Sequence, residues 1–340
     1  MTEYLGDIWF ILWALLWGIY FALDGYDFGI GMLLPVIGLS RKESETMYQA
    51  IGPFWDGNEV WLITAGGVTF AAFPQAYAVL FSSLYTPLML LLLVLILRGV
   101  ASEFRHQFED SRWRFFWDLT VAGCGFLAAL LLGVAFSNLF RGLPLNSNHI
   151  FQGNILNLLH PYALLGGILF VLMFVTHGAI YLAGRVRGDL EAKAVLMAKL
   201  VWPLFMLCFL LYVLLTFFWV GLYRNYFDSP LMLGLPVACL VAFLASGHML
   251  YRGRDLKLAF RYSGLGIITL ALTGVMGMYP NLIPSRLEPL GAVTIKSAAS
   301  SHLTLTIMLV VALIFVPTVM AYQYWAHKRL AEKLNSEYEA

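Results

Sequence analysis

Two carboxylates, Asp24 and Asp27, lie inside a long apolar run that extends from Ile8 to Leu39. They are three residues apart, so on a helix they share a face. A carboxylate at the centre of a membrane helix costs roughly 2.5–3.5 kcal/mol on insertion scales, so such an acid is first interpreted as functional. Like charges this close repel in a medium of low dielectric constant, and we expect one of the two to hold a proton at neutral pH. The pair therefore predicts an element that handles protons.

A second pair of acids follows in the stretch Trp55-Asp56-Gly57-Asn58-Glu59, where Asp56 and Glu59 repeat the same spacing. This stretch also suits the start of a helix, with Asp56 or Asn58 as the N-cap and acids in the first turn stabilised by the helix dipole. The two interpretations are compatible, because a capping carboxylate can also relay a proton. The sequence predicts Asp56 and Glu59 as further members of a proton pathway.

Asp118 and Arg98 complete the set of candidate residues. Asp118 begins a later apolar run and joins the predicted pathway, whereas Arg98 ends an earlier run. The Arg98 guanidinium either extends to the lipid headgroups or pairs with Glu59 or Asp56 inside the bundle. The sequence alone leaves both alternatives open.

Two histidines, His177 and His248, stand well inside apolar runs. Haem in a helix bundle needs an axial ligand such as His or Met, but two histidines are not enough to predict one. A buried, hydrogen-bonded or proton-relaying histidine is the better default. The sequence also has no Cys-x-x-Cys-His motif, phosphate loop, dinucleotide fingerprint, nucleophile elbow or zinc-type spacing. We therefore expect no metal site and no redox site in this chain alone.

The composition points to a membrane protein. Hydrophobic residues make up 60% of the chain and charged residues 12%, whereas an ordinary soluble domain is about 25% charged. The formal net charge is +1, so no nucleic-acid partner is implied. The three cysteines fall inside apolar runs and are interpreted as small core residues.

A bilayer core needs about 20 apolar residues per helix. On this measure we predict an all-α integral membrane protein with nine transmembrane helices. The predicted spans are 8–38, 58–73, 79–99, 116–139, 162–182, 199–220, 231–250, 263–280 and 303–325. The first span is overlong, so we expect it to break near Asp24-Gly25 or to continue along the inner surface.

Basic residues predict the orientation. All but four of the 21 Lys and Arg residues fall in one set of alternate loops, and the other set holds Arg141, Arg224, Arg286 and Lys296. The positive-inside rule then puts the N-terminus outside and the C-terminus in the cytoplasm. At 1.5 Å per residue, Asp24 lies roughly 24 Å along the first helix, in the cytoplasmic half. The acids thus gather at the inner end, where protons from the cytoplasm would enter.

An internal repeat is suggested by similar ends of two spans. Gly133 and Asn138 in the fourth span are matched by Gly274 and Asn281 around the end of the eighth. The pattern predicts two parallel four-helix units followed by one extra helix. These parts would be 1–145, 146–285, and a ninth helix with a cytoplasmic tail at 286–340.

The two acidic stretches together resemble subunit II of the cytochrome bd-type quinol oxidases. The similarity rests on residues 23–31, with the motif Asp24-Gly25-Tyr26-Asp27, and on 55–67, which begin with the Trp-Asp-Gly-Asn motif. Shorter stretches agree along the chain, at 70–74, 133–138, 279–285 and 299–305. The loop at 224–230 is short, as in the compact, often cyanide-insensitive branch.

The resemblance implies a complex in the bacterial inner membrane that oxidises quinol, reduces dioxygen to water and builds a proton gradient. It implies a pseudosymmetric heterodimer, with the b-type and d-type haems held by subunit I and none bound solely by this chain. Subunit II would support that assembly and contribute to proton delivery. In some members it also holds an oxygen route or a structural quinone, so ubiquinone is a candidate ligand here.

The same resemblance assigns one residue role. Asp56 matches the family acid of the proton path, while Asp24, Asp27 and Glu59 extend that path on physical grounds. His177 and His248 receive no family role. Membrane lipids are expected neighbours, and a small single-helix accessory subunit is left open.

Two other functions remain alternatives. A proton-coupled secondary transporter would also need intramembrane acids and a repeat, but such transporters usually have inverted repeats and helices broken at the midplane. Here the suggested repeat is parallel and the acids lie off-centre. In the second of these alternatives, the chain is a structural scaffold whose acids only cap helices and form ion pairs.

Overall fold

The structure is a computed structural model that describes residues 2–253 and 255–336. The α-helices in chain order are α1 (Thr2–Ile37), α2 (Arg41–Ile51), α3 (Trp55–Ala72), α4 (Pro74–Ser83), α5 (Tyr85–Phe104), α6 (Ser111–Arg141), α7 (Ile155–Leu158), α8 (Pro161–Ala183), α9 (Asp189–Trp219), α10 (Arg224–Asp228), α11 (Gly234–Arg252), α12 (Leu256–Met278), α13 (Ile295–Ala298) and α14 (His302–Ser336). Two short antiparallel strands, β1 (Asn281–Ile283) and β2 (Val293–Thr294), form the hairpin between α12 and α13.

The fold is that of an all-α membrane protein, as the composition predicts. Within the described residues, eight helices are long and apolar enough to cross a membrane. They are Tyr4–Ile37, Tyr85–Phe104, Ser111–Arg141, Pro161–Ala183, Asp189–Trp219, Pro230–Arg252, Leu256–Met278 and His302–Ala326. The predicted span outside this group is 58–73, which corresponds to the 18-residue helix α3 and its C-cap Phe73.

Helix α1 is the centre of the bundle and packs against α3, α6, α8 and α12. The prediction that it breaks near Asp24-Gly25 is wrong, because α1 continues for 36 residues through both. The charge of Asp24 is balanced by Arg98 from α5, and Gly25 packs against the ring of Phe174. With both residues accommodated inside the helix, the backbone has no cause to unwind.

Small residues allow α1 and α8 to touch through their backbones. A Cβ atom at Gly29 would collide with the carbonyl group of Phe174, and one at Gly178 would lie 2.7 Å from the backbone nitrogen of Ile30. Close approach at this crossing also brings His177 of α8 against the backbone of Ala22. The glycines of the acidic stretch therefore determine the geometry of the site.

The third predicted span, 79–99, is interrupted in the structure. Helix α4 ends at Ser83 and α5 begins at Tyr85, with Leu84 between them at φ −106° and ψ 23°. Pro87 in the first turn of α5 lacks an N–H group, and its ring crowds the carbonyl one turn earlier. The continuous apolar run hid this boundary, and α5 extends instead to Phe104.

Candidate functional site

The ionisable groups of α1, α3 and α5 meet at Arg98. Its Nη1 donates to Asp24 Oδ1 at 2.7 Å, and its Nη2 donates to Glu59 Oε2 at 3.1 Å. The Asp24 side chain is 0% exposed and that of Arg98 8%. Of the two alternatives for Arg98, the structure shows pairing inside the bundle. The partners are Glu59, as predicted, and Asp24, which the sequence did not suggest.

Aromatic rings cover the guanidinium of Arg98. Its central carbon lies 4.4 Å from the ring centre of Phe28 and 5.9 Å from that of Trp55. Such cation–π contacts gain strength when the cation is removed from water. The rings therefore hold the positive charge in place between the carboxylates and limit its access to water.

Asp27 is linked to the same site through α3. Asn58 Nδ2 donates to Asp27 Oδ2 at 2.7 Å and to the hydroxyl of Tyr26 at 2.6 Å. Asp27 Oδ1 and Asn58 Oδ1 are buried, and neither has a hydrogen-bond partner among the described residues. These two oxygens can accept further hydrogen bonds, which water would supply.

A cavity of about 150 Å³ reaches Asp27 and Arg98 from the loop that follows α5. It is lined by Asp27, Tyr48, Ile51, Gly52, Trp55, Arg98, Ser102, Glu103, His106 and Val121. Glu103 and His106 are exposed, whereas Asp27 is 4% exposed. The cavity wall includes the ionisable side chains of Asp27, Arg98, Glu103 and His106, and the cavity has room for several water molecules. It therefore connects a buried carboxylate with the protein surface.

Asp56 is outside this group. Helix α3 begins at Trp55 with Phe54 as its N-cap, and no side chain caps it. The alternative in which Asp56 or Asn58 is the N-cap is therefore wrong, although Asp56 does lie in the first turn. Its side chain is exposed on the surface of the isolated chain. Asp56 thus stands beside the buried site rather than in it.

Asp118 belongs to a second cluster, built around Arg105. Arg105 Nε donates to Asp118 Oδ1 at 2.5 Å, and Arg105 Nη2 donates to Ser44 Oγ at 2.5 Å. The guanidinium also lies 4.5 Å from the ring centre of Tyr48. Reasoning from the sequence missed Arg105, although it follows Arg98 by seven residues and so occupies the same helix face.

The second cluster includes the surface helix α2. The capping box between Ser40 and Glu43 starts this helix, and Ser44 and Tyr48 point from it toward Arg105. Glu43 also forms an ion pair with Lys193 of α9 at 2.5 Å, and this hydrogen bond lowers the pKa of the Glu43 carboxyl. Burial raises the pKa of Tyr48. Helix α2 therefore ties the start of α9 to the end of α5.

The two candidate histidines differ in their surroundings. His177 is fully buried, with Nε2 at 2.9 Å from the carbonyl oxygen of Ala22 and Nδ1 at 2.9 Å from Ser263 Oγ. A carbonyl can only accept, so Nε2 carries the proton and Nδ1 accepts from Ser263. Both nitrogens are engaged, and neither is free to bind a haem iron. His248 is exposed on the outside of the bundle.

A further polar residue missed in the sequence is Gln323, which joins α14 to α3. Its Oε1 accepts from Trp61 Nε1 at 3.2 Å, and its Nε2 donates to the carbonyl oxygen of Gly57 at 3.1 Å. An amide in an otherwise apolar helix was the available signal. Gln323 supports the turn of α3 that carries Asp56 and Glu59.

No metal site is found in the described part of the chain. Across the described side chains of 4–253, 255–326 and 328–329, no three His, Cys, Asp or Glu residues are grouped so that they could hold an ion. A larger apolar cavity of about 640 Å³ does lie between α1, α3, α4, α5 and α6. Aromatic side chains on its wall include Trp13, Trp17, Phe70, Tyr77 and Phe81.

Known proteins resemble this chain over nearly its full length. The family model described as cytochrome bd terminal oxidase subunit II matches residues 5–330. A probable cytochrome oxidase subunit 2 from Haemophilus influenzae is 33% identical, with 99% of this chain and 97% of that protein covered. The cytochrome bd-I ubiquinol oxidase subunit 2 of Escherichia coli K12 is 32% identical over 98% and 96%. The Bacillus subtilis cytochrome bd ubiquinol oxidase subunit 2 is 31% identical over 97% and 98%.

The fold has a counterpart among solved structures. The bd oxidase from Geobacillus thermodenitrificans contains a chain that superposes with a TM-score of 0.78 at 19% identity, covering 96% of this chain and 97% of that one. This similarity supports the fold, and the family match and relatives support the function. Together they favour an oxidase subunit over the transporter and scaffold alternatives, and the resemblance stated from the motifs is confirmed. The chain belongs to the cytochrome bd terminal oxidase subunit II family.

Proposed function

We propose that this chain is the haem-free subunit of a quinol:dioxygen oxidoreductase and carries protons to the haem-bearing subunit I. The relatives named as ubiquinol oxidase subunits support ubiquinol as the electron donor. The b-type and d-type haems would lie in subunit I, because His177 has no free nitrogen and His248 faces outward. The location that follows is the bacterial inner membrane, with the chain crossing it many times.

One observation carries the proposed proton role. The cavity beside α5 brings the unpartnered Oδ1 of Asp27 within reach of water that also contacts Glu103 and His106 at the surface. A buried carboxylate with a free acceptor and a wet cavity can gain and lose a proton. A carboxylate that served only to stabilise the fold would be expected to have all its acceptor positions used by protein groups.

The route continues through the other acids. From Asp27, protons would reach the carboxylates of Asp24 and Glu59, between which Arg98 keeps the net charge low. Asp56, exposed in the first turn of α3, would then pass them across the subunit boundary. The same surface of α3 presents Ile63 and Phe70, which are 70% and 62% exposed, and a partner helix would cover them.

Asp118 is proposed as a supporting residue of the route. It is balanced by Arg105, and it is not among the residues that line the cavity beside α5. We infer that it holds α6 against α5 near the cavity instead of carrying protons. This assignment differs from the one suggested by its position in the sequence.

The finer topology is also proposed. Helix α3 would be the ninth span, and the orientation would place Arg98 and Arg105 toward the cytoplasm. Two parallel units are supported by helix pairs that correspond between the units. The contact of α1 with α3 in the first unit corresponds to that of α8 with α9 in the second. The contact of α5 with α6 likewise corresponds to that of α11 with α12. These units retain the limits 1–145 and 146–285, with 286–340 following them.

The apolar cavity of about 640 Å³ is the place we propose for a structural quinone, should this chain hold one. Its volume falls in the range of small-molecule sites, and its wall is largely apolar and aromatic. Thr69 provides a hydroxyl on this wall, but it is already engaged by Trp13 at 2.7 Å. The cavity therefore suits an isoprenoid tail better than a polar headgroup.

The test replaces Asp27 by Asn in the assembled oxidase, where the amide retains the shape and the hydrogen bond with Asn58. We expect oxygen consumption and proton uptake to fall together by roughly tenfold or more, as for loss of a proton-transfer group. The matched control is Asp110→Asn, because Asp110 caps α6 and Asn caps equally well. Unchanged proton uptake in Asp27→Asn, with normal assembly, would contradict the proposed route.

Asp56→Asn is the companion variant at the proposed exit. If Asp56 passes protons to subunit I, the Asp56→Asn variant should lose activity as the Asp27→Asn variant does, while the complex remains intact. If both variants changed only the yield of assembled complex, the acids would serve assembly and the proposed proton role would fail.

A further inference from the structure

A basic cluster lies at the end of the bundle opposite the acid site. The backbone brings two of its members together, since Leu143 N donates to Pro284 O at 2.9 Å and Arg286 N donates to Leu143 O at 3.0 Å. These bonds join the segment after α6, which ends at Arg141, to the segment that carries Arg286. The segments that carry Arg141 and Arg286 are thus joined at this end of the bundle. Burial lowers the pKa of Arg286, and the positive charge of Arg141 lowers it further.

His160 is the third member. Asn138 Nδ2 donates to the carbonyl oxygen of Leu158 at 2.9 Å, and Arg141 follows Asn138 by three residues on the same face of α6. Arg141 is thereby directed toward the start of α8, where His160 is the N-cap. Burial and the positive charges of Arg141 and Arg286 lower the pKa of His160 to about 4.

The cluster presents donors without acceptors. His160 Nδ1 accepts from the backbone of Ala163 at 3.2 Å, so its proton is on Nε2, which is buried and has no partner among the described residues. Among the described side chains of 4–253, 255–326 and 328–329, no carboxylate forms an ion pair with Arg141 or Arg286. The nearest acid along the chain, Glu288, instead accepts from the backbone of Ser147 at 2.7 Å. This arrangement lacks an anion.

The surroundings indicate the kind of anion. Leu159 and Leu287, next to His160 and Arg286 in the chain, are 46% and 53% exposed, and Leu156 nearby is 71% exposed. Positive charge amid exposed apolar side chains at the end of membrane helices is typical of the headgroup region. We propose that Arg141, Arg286 and His160 bind the phosphate of an anionic phospholipid headgroup.

The test counts lipids bound to the purified, delipidated oxidase after it is exposed to phosphatidylglycerol, using native mass spectrometry. We expect the variant that combines Arg141→Gln and Arg286→Gln to bind one phosphatidylglycerol less, with an apparent affinity lowered roughly fivefold per arginine. The matched control combines Arg224→Gln and Lys296→Gln, which together remove an equal charge from the same predicted face. His160→Asn retains the N-cap acceptor, loses the ring N–H and should show a smaller loss.

Several results would overturn the proposal. They are an unchanged lipid count in the double variant, or wild-type binding of phosphatidylcholine as tight as that of phosphatidylglycerol. If inorganic phosphate alone raised the melting temperature through the same two arginines, and phosphatidylglycerol did not, the ligand would be free phosphate. If the double variant lost subunit I while its lipid count stayed the same, the site would hold a carboxylate of the partner.

Discussion

Two arginines, Arg98 in α5 and Arg105 as the C-cap of the same helix, are seven residues apart and therefore lie on the same helix face two turns apart. Both are buried, at 6% and 1% exposure, and both contact an aromatic ring and a carboxylate. Their surroundings differ in charge. Arg98 has Asp24 and Glu59 within hydrogen-bond distance and Asp27 nearby. Among the described carboxylates, only Asp118 lies within hydrogen-bond distance of Arg105. Another carboxylate near Arg105, that of Glu45, is paired with Arg41 and Arg114.

The two clusters also differ in their access to water, which is greater for the cluster around Arg98. The cavity beside α5 is lined by Arg98 and Asp27 but not by Arg105 or Asp118. Around Arg98 the unpartnered buried atoms include its own donor Nε and three acceptor oxygens, Asp24 Oδ2, Asp27 Oδ1 and Asn58 Oδ1. Around Arg105 an unpartnered group is a donor, Nη1. Both arginines keep one free donor, so the difference lies in the free carboxylate oxygens beside Arg98, which can bind protons.

The comparison shows that a buried arginine does not by itself mark a functional site. What separates the two clusters is the count of neighbouring carboxylates and the presence of a route for water. Membrane burial makes both ion pairs expensive, so both must be well satisfied to persist. Only the first leaves charge that a proton could neutralise.

The largest expected effect is on stability at Arg98. Arg98→Gln leaves Asp24 buried without its cation, and breaking a buried pair in this way costs about 3–5 kcal/mol of unfolding free energy. We expect most of the oxidase to fail to assemble, as measured by the yield of complex and by unfolding in mixed micelles. Adding Asp24→Asn should restore part of the loss. A single variant as stable as wild type would show that Arg98 does not balance Asp24.

A smaller effect is expected when the whole second pair is replaced. Arg105→Met combined with Asp118→Leu removes both charges, and such apolar replacement is often neutral or stabilising. We expect the double variant to lie within about 1 kcal/mol of wild type and to retain proton uptake, while Asp118→Leu alone is strongly destabilised. Loss of proton uptake in a well-folded double variant would place Asp118 back in the pathway.

The smallest effect concerns the helix that supports the second cluster. Glu43→Gln removes the ion pair with Lys193 but keeps the capping box, and we expect a loss of roughly 0.5–1 kcal/mol, reduced by salt. Because the pKa of Glu43 is lowered in the fold, its contribution is present above about pH 4.3 and is lost as the pH falls through the lower, folded-state value. Melting temperatures of wild type and variant should therefore differ at pH 7 and converge once the pH is below the lowered pKa of Glu43 in the folded state. A difference that stayed constant with pH would exclude the charge as its cause.

The sequence predicted the helical membrane fold, the family and much of the acid cluster. Asp24, Asp27 and Glu59 could be recognised because acids in apolar runs are costly, and the structure brings them together around Arg98. Their relation to Arg98 depends on how three separate helices pack, which residue spacing within one helix cannot reveal. The two alternatives for Arg98 therefore had to stay open.

Other features escaped the sequence for identifiable reasons. The boundary at Leu84 lies in an unbroken apolar run, so hydropathy gave no signal, and only Pro87 pointed to it. Asp118 was grouped with the other acids by its depth in the membrane, although its partner Arg105 comes from the end of α5. Depth along a helix can be counted from the chain, but direction around the bundle cannot.

Gln323 has a consequence for the order of biogenesis. Helix α14 follows α1–α13 in the chain, so its amide reaches Gly57 and Trp61 only after the ribosome has released those earlier segments. The turn that bears Asp56 would thus acquire this support late, when most of the polypeptide is already inserted. The ion pairs around Arg98 would therefore form before the first turn of α3, which bears Asp56, reaches its final conformation.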